Sequence, residues 1–303
     1  LFKTYLGSII DDKVWKGIAE GLNYGLGFMV IFMLHFTVAT KQPAMTAARF
    51  AEAVEKTPQG KTVNMKLAQL LVDVFRSQSI AVLGNVLIAM GLAALIAFGY
   101  QYKTGEPLMN ADQIAYQLHS IDPFAGTLWF AAIAGVWLFC SGIISGYFDN
   151  RSNYLNMRMR LTQHPLLKKL MSEKTRIKFA NYMHENYGSL IGNLCFGMLL
   201  GITGVVGYLT HLPLDIRHVA FSSANVGYIA VSGEFTYSLL LQCIGFVLLI
   251  GLVNLIVSFS LTLWVALRSL NTEIDSWWPI WHEVCQIVKK RPLSLFLPIQ
   301  LDK

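Results

Sequence analysis

Five stretches of the chain run for 20 residues or more without an Asp, Glu, Lys or Arg. They are residues 21–40, 77–102, 123–148, 186–214 and 235–267. A helix of about 20 apolar residues crosses the hydrocarbon core of a bilayer and satisfies its own backbone hydrogen bonds there. With 54% hydrophobic and 14% charged residues, the composition also differs from that of a soluble domain. The sequence therefore predicts an all-α, polytopic helical integral membrane protein with about five transmembrane helices.

The predicted spans lie within a single helical membrane domain over residues 1–303. Their approximate bounds are 22–39, 80–100, 124–147, 187–209 and 237–267. Two long loops, 41–79 and 148–186, and a Trp-rich tail, 268–303, complete the chain. Because the chain begins with Leu1 rather than Met, we expect an upstream N-terminal part, with a further span, to be missing.

The loops between the spans differ in charge, and this difference predicts the orientation. The two long loops are rich in Lys and Arg, whereas the other two loops hold only Lys103 and Arg217 as cations. Cytoplasmic loops carry an excess of Lys and Arg. We therefore expect loops 41–79 and 148–186, together with the C-terminus, on the cytoplasmic side.

Several segments outside the spans have patterns of their own. Residues 61–76 place apolar side chains at helical spacing, so they lie in the membrane interface or pack on the protein's own helical bundle. The segment 149–185 predicts helices that project past the membrane, and residues 103–122 predict a short, irregular external loop. The uncharged residues 218–233 suit a re-entrant or interfacial segment, and the tryptophans of the tail suit an interfacial helix.

Glycine is the most patterned residue of the spans, and small residues let helices approach closely in lipid. The predicted helix-packing positions are Gly142, Gly146, Gly188, Gly192, Gly197, Gly201 and Gly204. These glycines either pack the helices of the bundle tightly or form an interface at which helices slide or open a gate.

The spans contain no titratable carboxylate, ammonium or guanidinium group, which argues against a proton-driven pump. Their polar side chains include His35, Asn85, Asn193, Gln242 and Asn254, which we expect to bond neighbouring helices. No complete set of metal ligands, cofactor-binding residues or catalytic groups is visible, so the sequence favours a protein without enzyme activity.

Two polar clusters remain as candidate sites. His211, Asp215, Arg217 and His218 follow one another in an external loop, where they form a metal site, a headgroup site or an ordinary turn. A lipid-modifying enzyme of the external face is a further hypothesis for that loop. At the cytoplasmic boundary, Lys41, Asp149 and Arg151 cap helices and anchor them to lipid phosphates, pair with one another, or recognise a partner.

Three stretches carry a resemblance to a known family. They are Ala39-Thr-Lys41-Gln-Pro43-Ala-Met45-Thr-Ala47, Gly146-Tyr-Phe-Asp149-Asn-Arg151 and His211-Leu-Pro-Leu-Asp215-Ile-Arg217-His218. The chain resembles the bacterial membrane protein family catalogued as site-specific recombinases, which includes the gonococcal crossover recombinase, over the C-terminal half of a longer member. The family name implies DNA strand exchange, but no His-x-x-Arg cluster of tyrosine recombinases and no acidic metal cluster occurs in this sequence.

We therefore expect a noncatalytic component of the inner membrane of a Gram-negative bacterium. It acts as a scaffold or as a transport or channel-like part that handles apolar or lipid-like ligands or a partner protein. The alternative is a DNA recombinase whose catalytic centre lies outside this sequence. Expected partners are membrane lipids and another membrane or envelope protein or a second copy, and nucleic acid is not expected as a partner.

Overall fold

The computed structural model describes residues 12–34, 42–55, 61–232, 236–271, 274 and 276–295. In this part of the chain the fold is entirely helical, without a strand. The α-helices are α1 (Lys13–Met33), α2 (Gln42–Glu55), α3 (Lys61–Thr104), α4 (Ala111–Ile121), α5 (Thr127–Tyr154), α6 (Met157–Gln163), α7 (Pro165–Leu170), α8 (Glu173–Thr210), α9 (Val219–Ser232), α10 (Tyr237–Ser269) and α11 (Trp278–Lys290). Short 3-10 helices occupy Pro123–Ala125 and Pro292–Leu295.

Four of the described helices are long and apolar enough to cross a membrane: α3, α5, α8 and α10. The predicted class, a helical membrane protein, is confirmed. The first predicted span, 22–39, falls only partly within the described residues, because α1 ends at Met33 and residues 35–41 lie outside them. That fifth span stays a prediction.

The helices extend well beyond the uncharged runs. The predicted amphipathic segment and the second span form one continuous helix, α3, of 44 residues. Similarly, α5 continues to Tyr154 and α8 begins at Glu173, so both ends lie inside the predicted loop 148–186. Lys, Arg and Glu are good helix formers, so a helix that leaves the membrane continues until a cap or a breaker ends it.

The prediction of an irregular loop over residues 103–122 was wrong, since α4 occupies Ala111–Ile121. Its first turn is held by a capping box, in which the Asn110 side chain accepts from the Gln113 N–H at 2.8 Å. The Gln113 side chain accepts in return from the Asn110 N–H at 3.1 Å. Two reciprocal bonds at a helix start outweigh the loop-forming tendency of the nearby Gly105 and Pro107.

The chain divides into two compact units. Unit 1 comprises Leu1–Ala44 and Trp137–Asp215, and it contains α1, the second part of α5, and α6 to α8. Unit 2 comprises Met45–Val136 and Ile216–Lys303. It contains α3, α4, α9, α10 and α11, together with most of α2 and the start of α5. The single domain over 1–303 stays a prediction.

Unit 2 has two hydrophobic clusters. The first joins α3, α4, α9, α10 and the start of α5 through side chains such as Ile121, Val226 and Ile250. The second joins α2, the N-terminal part of α3, the end of α10, and α11. Leu67 and Ala68 of α3 are buried in the second cluster, so the amphipathic segment packs on the protein's own bundle.

The tail and the uncharged external segment are both helical. Helix α11 buries Ile280 in the second cluster, while Trp278 and Trp281 are 78% and 54% exposed. Its placement in the membrane interface stays a prediction. Helix α9 packs against α3 and α10, and its Gly227 leaves no room for a side chain beside the Met90 carbonyl. At 14 residues α9 is about 21 Å long, too short to cross the hydrocarbon core.

Candidate functional site

In unit 1, α1 and α8 approach each other through glycines that we call the glycine seam: Gly17, Gly21 and Gly25 of α1 and Gly197 and Gly201 of α8. A Cβ atom at Gly197 would overlap the backbone of Gly25, and one at Gly201 would overlap the backbone of Gly21. A Cβ at Gly21 would lie 3.2 Å from the Met198 carbonyl oxygen. The two backbones are therefore in direct contact, which only glycine permits at these positions.

The remaining predicted packing glycines divide into two groups. A Cβ at Gly192 would lie 2.9 Å from the Ser145 Cβ of α5, and a Cβ at Gly188 would overlap the Ser145 carbonyl. Gly142 is buried. Gly146 and Gly204 are exposed, and a Cβ at either meets nothing within 4 Å among the described residues. Spacing alone did not separate these groups, because it does not say which face of a helix meets a neighbour.

Asp149, predicted at the cytoplasmic boundary, connects α5 to α8. Its Oδ1 accepts a hydrogen bond from the Gly188 N–H at 3.1 Å. One turn along α5, the Ser152 Oγ lies 3.3 Å from the His184 carbonyl oxygen and 3.1 Å from the His184 Nδ1. Gly188 and His184 are four apart, the spacing of a helical N–H and its carbonyl acceptor. We call these contacts the boundary latch, because both partners of one helical bond in α8 engage side chains of α5.

The other boundary residues do not join the latch. Arg151 is exposed and donates from a guanidinium nitrogen to the Tyr147 hydroxyl at 3.4 Å. Lys41 lies outside the described residues. Pairing of Lys41 with Asp149 therefore stays a prediction.

A serine beside a histidine is also the beginning of a nucleophile arrangement. Ser152 is, however, 0% exposed, and its Oγ also contacts the Met157 sulfur at 3.6 Å. A hydroxyl that is enclosed and shared between neighbours holds helices together and does not reach a substrate.

In unit 2, Asn254 of α10 joins three other segments. Its Oδ1 accepts from the Val219 N–H at 3.2 Å, and its Nδ2 donates to the Ala131 carbonyl at 2.7 Å and to the Arg217 carbonyl at 3.0 Å. Asn254 is 2% exposed. We call this arrangement the amide lock, because one buried amide connects α10 to α5, to the start of α9 and to the loop before it.

Arg217 of the predicted external cluster also holds segments of unit 2 together. Its Nε donates to the Ser120 carbonyl at 2.8 Å, and its guanidinium lies 5.5 Å from the centroid of the Phe130 ring. Its backbone N–H donates to the Phe130 carbonyl at 3.2 Å. The cation therefore ties the end of α4 and the first turn of α5 to the segment that precedes α9.

His218 follows directly and is 5% exposed. Burial lowers the pKa of His218 from its ordinary value of 6.5 to about 4, because desolvation penalises the imidazolium. The ring is therefore neutral at pH 7, with its centroid 5.8 Å from that of Phe221.

The other two members of the predicted cluster belong to unit 1. His211 is exposed and follows the last turn of α8 with a φ of 54°. Asp215 is half-buried. Across the described residues, no group of three or more His, Cys, Asp or Glu side chains is arranged to hold a metal ion. The four residues are thus divided between the units.

The sequence comparison gives the family. A family model described as site-specific recombinase matches residues 1–298. The chain belongs to the site-specific recombinase family. The resemblance seen in the three quoted stretches is confirmed. No curated protein and no solved structure matches the chain.

Proposed function

We propose that this member of the site-specific recombinase family is a noncatalytic scaffold of the inner membrane of a Gram-negative bacterium, which holds a partner protein in place. The proposal depends on how the polar side chains of the spans are used. Asn254 makes three hydrogen bonds to other segments, and Trp137 donates to the Thr203 hydroxyl of α8 at 2.7 Å. These groups join helices to one another, as a scaffold requires.

The charge distribution supports an inner-membrane orientation. Along the chain, α3, α5, α8 and α10 run alternately out of and into the cytoplasm if the cation-rich segments are cytoplasmic. The connection between α5 and α8 then lies inside, and α4 and α9 lie on the external side. The C-terminal helix α11, which ends in Lys289 and Lys290, is then cytoplasmic.

Transport is the nearest rival within the same membrane class. Coupling to ions uses a titratable group at membrane depth, and the apolar stretches of the four described spans contain no Asp, Glu, Lys or Arg. The amide lock also opposes a movement of α10, because such a movement would leave buried backbone groups unbonded. These features favour the scaffold.

The family name favours DNA strand exchange as a second candidate. Recombination needs an accessible nucleophile beside several cations on a surface that holds DNA. Ser152, whose hydroxyl contacts the His184 ring, is fully buried. Because the sequence also lacks a His-x-x-Arg cluster, this candidate assumes a catalytic centre outside this sequence.

Reconstitution of the full chain separates the three functions. We expect proteoliposomes to show the same dye release and the same exchange of a fluorescent phospholipid between leaflets as protein-free liposomes. We also expect supercoiled plasmid to stay uncut. Extraction from native membranes with their lipids should yield a complex of fixed stoichiometry. Flux above that of protein-free liposomes, rising with the amount of reconstituted protein, would establish transport, and site-specific DNA cleavage would establish recombination.

A further inference from the structure

The connection between α5 and α8 forms a projection. Its distance from the apolar parts of these helices follows from the length of α8 beyond its uncharged stretch. The rings of Phe148 and Tyr187 meet edge to face at 5.5 Å, so the apolar parts of α5 and α8 end at the same level. Beyond Asn186, α8 continues back to Glu173 as uninterrupted helix. At 1.5 Å per residue, those 13 residues reach about 20 Å past the apolar boundary.

The far end of this projection is α7. Helix α6 packs along α8, and α7 contacts both α6 and the beginning of α8. Leu170, the last residue of α7, precedes the first residue of α8 by three positions. The headgroup layer is only about 5–7 Å deep on each side, so α7 lies beyond the headgroups when α8 runs along the membrane normal.

The surface of the projection is cationic. Over residues 157–178 there are seven Lys or Arg and one carboxylate, Glu173. Six of the cations are exposed: Arg158, Arg160, Lys168, Lys169, Lys174 and Lys178. The positive-inside rule accounts for the presence of cations in this connection. The rule does not address their position around exposed apolar side chains.

Apolar side chains are exposed among these cations. Leu166 and Leu170, one helical turn apart on α7, are 61% and 77% exposed, and Met159 of α6 is 69% exposed. We call Met157–Lys178 with these side chains the cationic tip. Leu166 and Leu170 lie next to each other on one face of α7, and an exposed apolar pair of this kind suits a contact with another protein.

We propose that the cationic tip docks an acidic amphipathic helix of a partner protein. The inference rests on the scaffold function and on the cytoplasmic orientation proposed above. Leu166 and Leu170, at i and i+4, can contact the apolar face of a partner helix. The surrounding Lys and Arg can pair with carboxylates at the edges of that face. Phosphates of a nucleic acid would use the cations but leave the leucines uncovered. With α8 along the membrane normal, the protein's own lipids do not reach α7.

The test uses the full chain in nanodiscs of zwitterionic lipid and a fluorescent peptide with Glu and Leu at helical spacing. A scrambled peptide of the same composition, vesicles with about 30 mol% phosphatidylglycerol, and a duplex DNA of about 20 base pairs are the competing ligands. We expect the amphipathic peptide to bind at least about tenfold more tightly than its scrambled form. This binding should weaken as salt rises.

Two double variants measure separately what the lysines and the leucines contribute to peptide binding. Lys168→Gln with Lys169→Gln, and Leu166→Ser with Leu170→Ser, are each expected to weaken peptide binding roughly tenfold. Lys103→Gln with Leu212→Ser changes exposed residues on the other side of the membrane and should leave binding unchanged. Exposed positions of a six-residue helix should leave thermal unfolding unaffected, which a melting curve verifies.

Each other result overturns the docking proposal. Equal binding of the amphipathic and scrambled peptides would indicate unspecific charge attraction. DNA binding that depends on the lysines but not on the leucines would indicate a nucleic-acid surface, and preferential vesicle binding would indicate a lipid surface. Absence of peptide binding, with flux and DNA assays still negative, would reject the tip and leave the scaffold function standing.

Discussion

The glycine seam of unit 1 and the amide lock of unit 2 hold helices together by different means. In unit 1 the backbones of α1 and α8 meet directly at the glycine seam, where any side chain would intrude. In unit 2 the amide lock of Asn254 connects segments through hydrogen bonds. The glycine seam requires that no side-chain atoms lie between the two helices, whereas the amide lock requires the side chain of Asn254. Their responses to substitution should therefore differ in kind.

The largest effect is expected at the glycine seam. Gly201→Leu should lower the free energy of unfolding by roughly 3 kcal/mol or more, because the new side chain collides with the backbone of Gly21. Gly204→Leu, on the same helix but facing open space, should change it by less than about 0.5 kcal/mol. Unfolding in detergent, followed by circular dichroism, measures both. Equal losses at the two positions would mean that backbone contact is not what holds α1 to α8.

The amide lock should respond less strongly. Asn254→Leu leaves the Val219 N–H and the Ala131 and Arg217 carbonyls without their partner, which should cost about 2 kcal/mol. Gln242→Leu removes an exposed amide from the same helix and serves as the control. The same unfolding assay applies. Should both variants behave alike, Asn254 would not be distinguished from any other polar residue of α10.

The boundary latch lies in unit 1 but depends on hydrogen bonds. It therefore tests whether the unit or the type of contact determines how much stability a substitution removes. Asp149→Ala should cost about 1 kcal/mol, less than Asn254→Leu, because the Gly188 N–H can still bond the His184 carbonyl within its own helix. Asn153→Ala, at an exposed position of α5, is the control. Amide hydrogen exchange at Gly188 should accelerate only in Asp149→Ala. If Asp149→Ala lost as much stability as Asn254→Leu, the bond between the Gly188 N–H and the His184 carbonyl would not compensate for the missing carboxylate.

The smallest effect concerns His218 of unit 2 and depends on pH. The unfolded chain protonates this imidazole near its ordinary pKa of 6.5, whereas the folded chain does so only near 4. Stability is therefore lost as pH falls below 6.5, by about 0.8 kcal/mol between pH 7.5 and pH 6. His218→Gln should remove this part of the pH dependence, and the exposed His211→Gln should retain it. An unchanged slope in His218→Gln would show that other groups govern the acid response.

The two units also differ in how much of them could be predicted from the sequence. The spans and the glycine seam have local signals, since uncharged runs and repeated glycines are visible without knowledge of neighbours. Gly146 and Gly204 show the limit of that signal, because the face that meets another helix is set by tertiary packing. Asn254 could be expected to bond a helix, but its acceptors Ala131 and Arg217 are distant in sequence. Helix α4 was missed because its capping box lies among loop-forming residues.

The most direct test of the account is the side of the membrane on which each connection lies. Single cysteines at positions 103 and 168, in a full chain whose four native cysteines are replaced by serine, are labelled in intact spheroplasts with an impermeant maleimide. We predict labelling at position 103 without permeabilisation, and labelling at position 168 only after it. Equal labelling of both positions from the same side would contradict the alternating spans, the cytoplasmic tip and the function built on them.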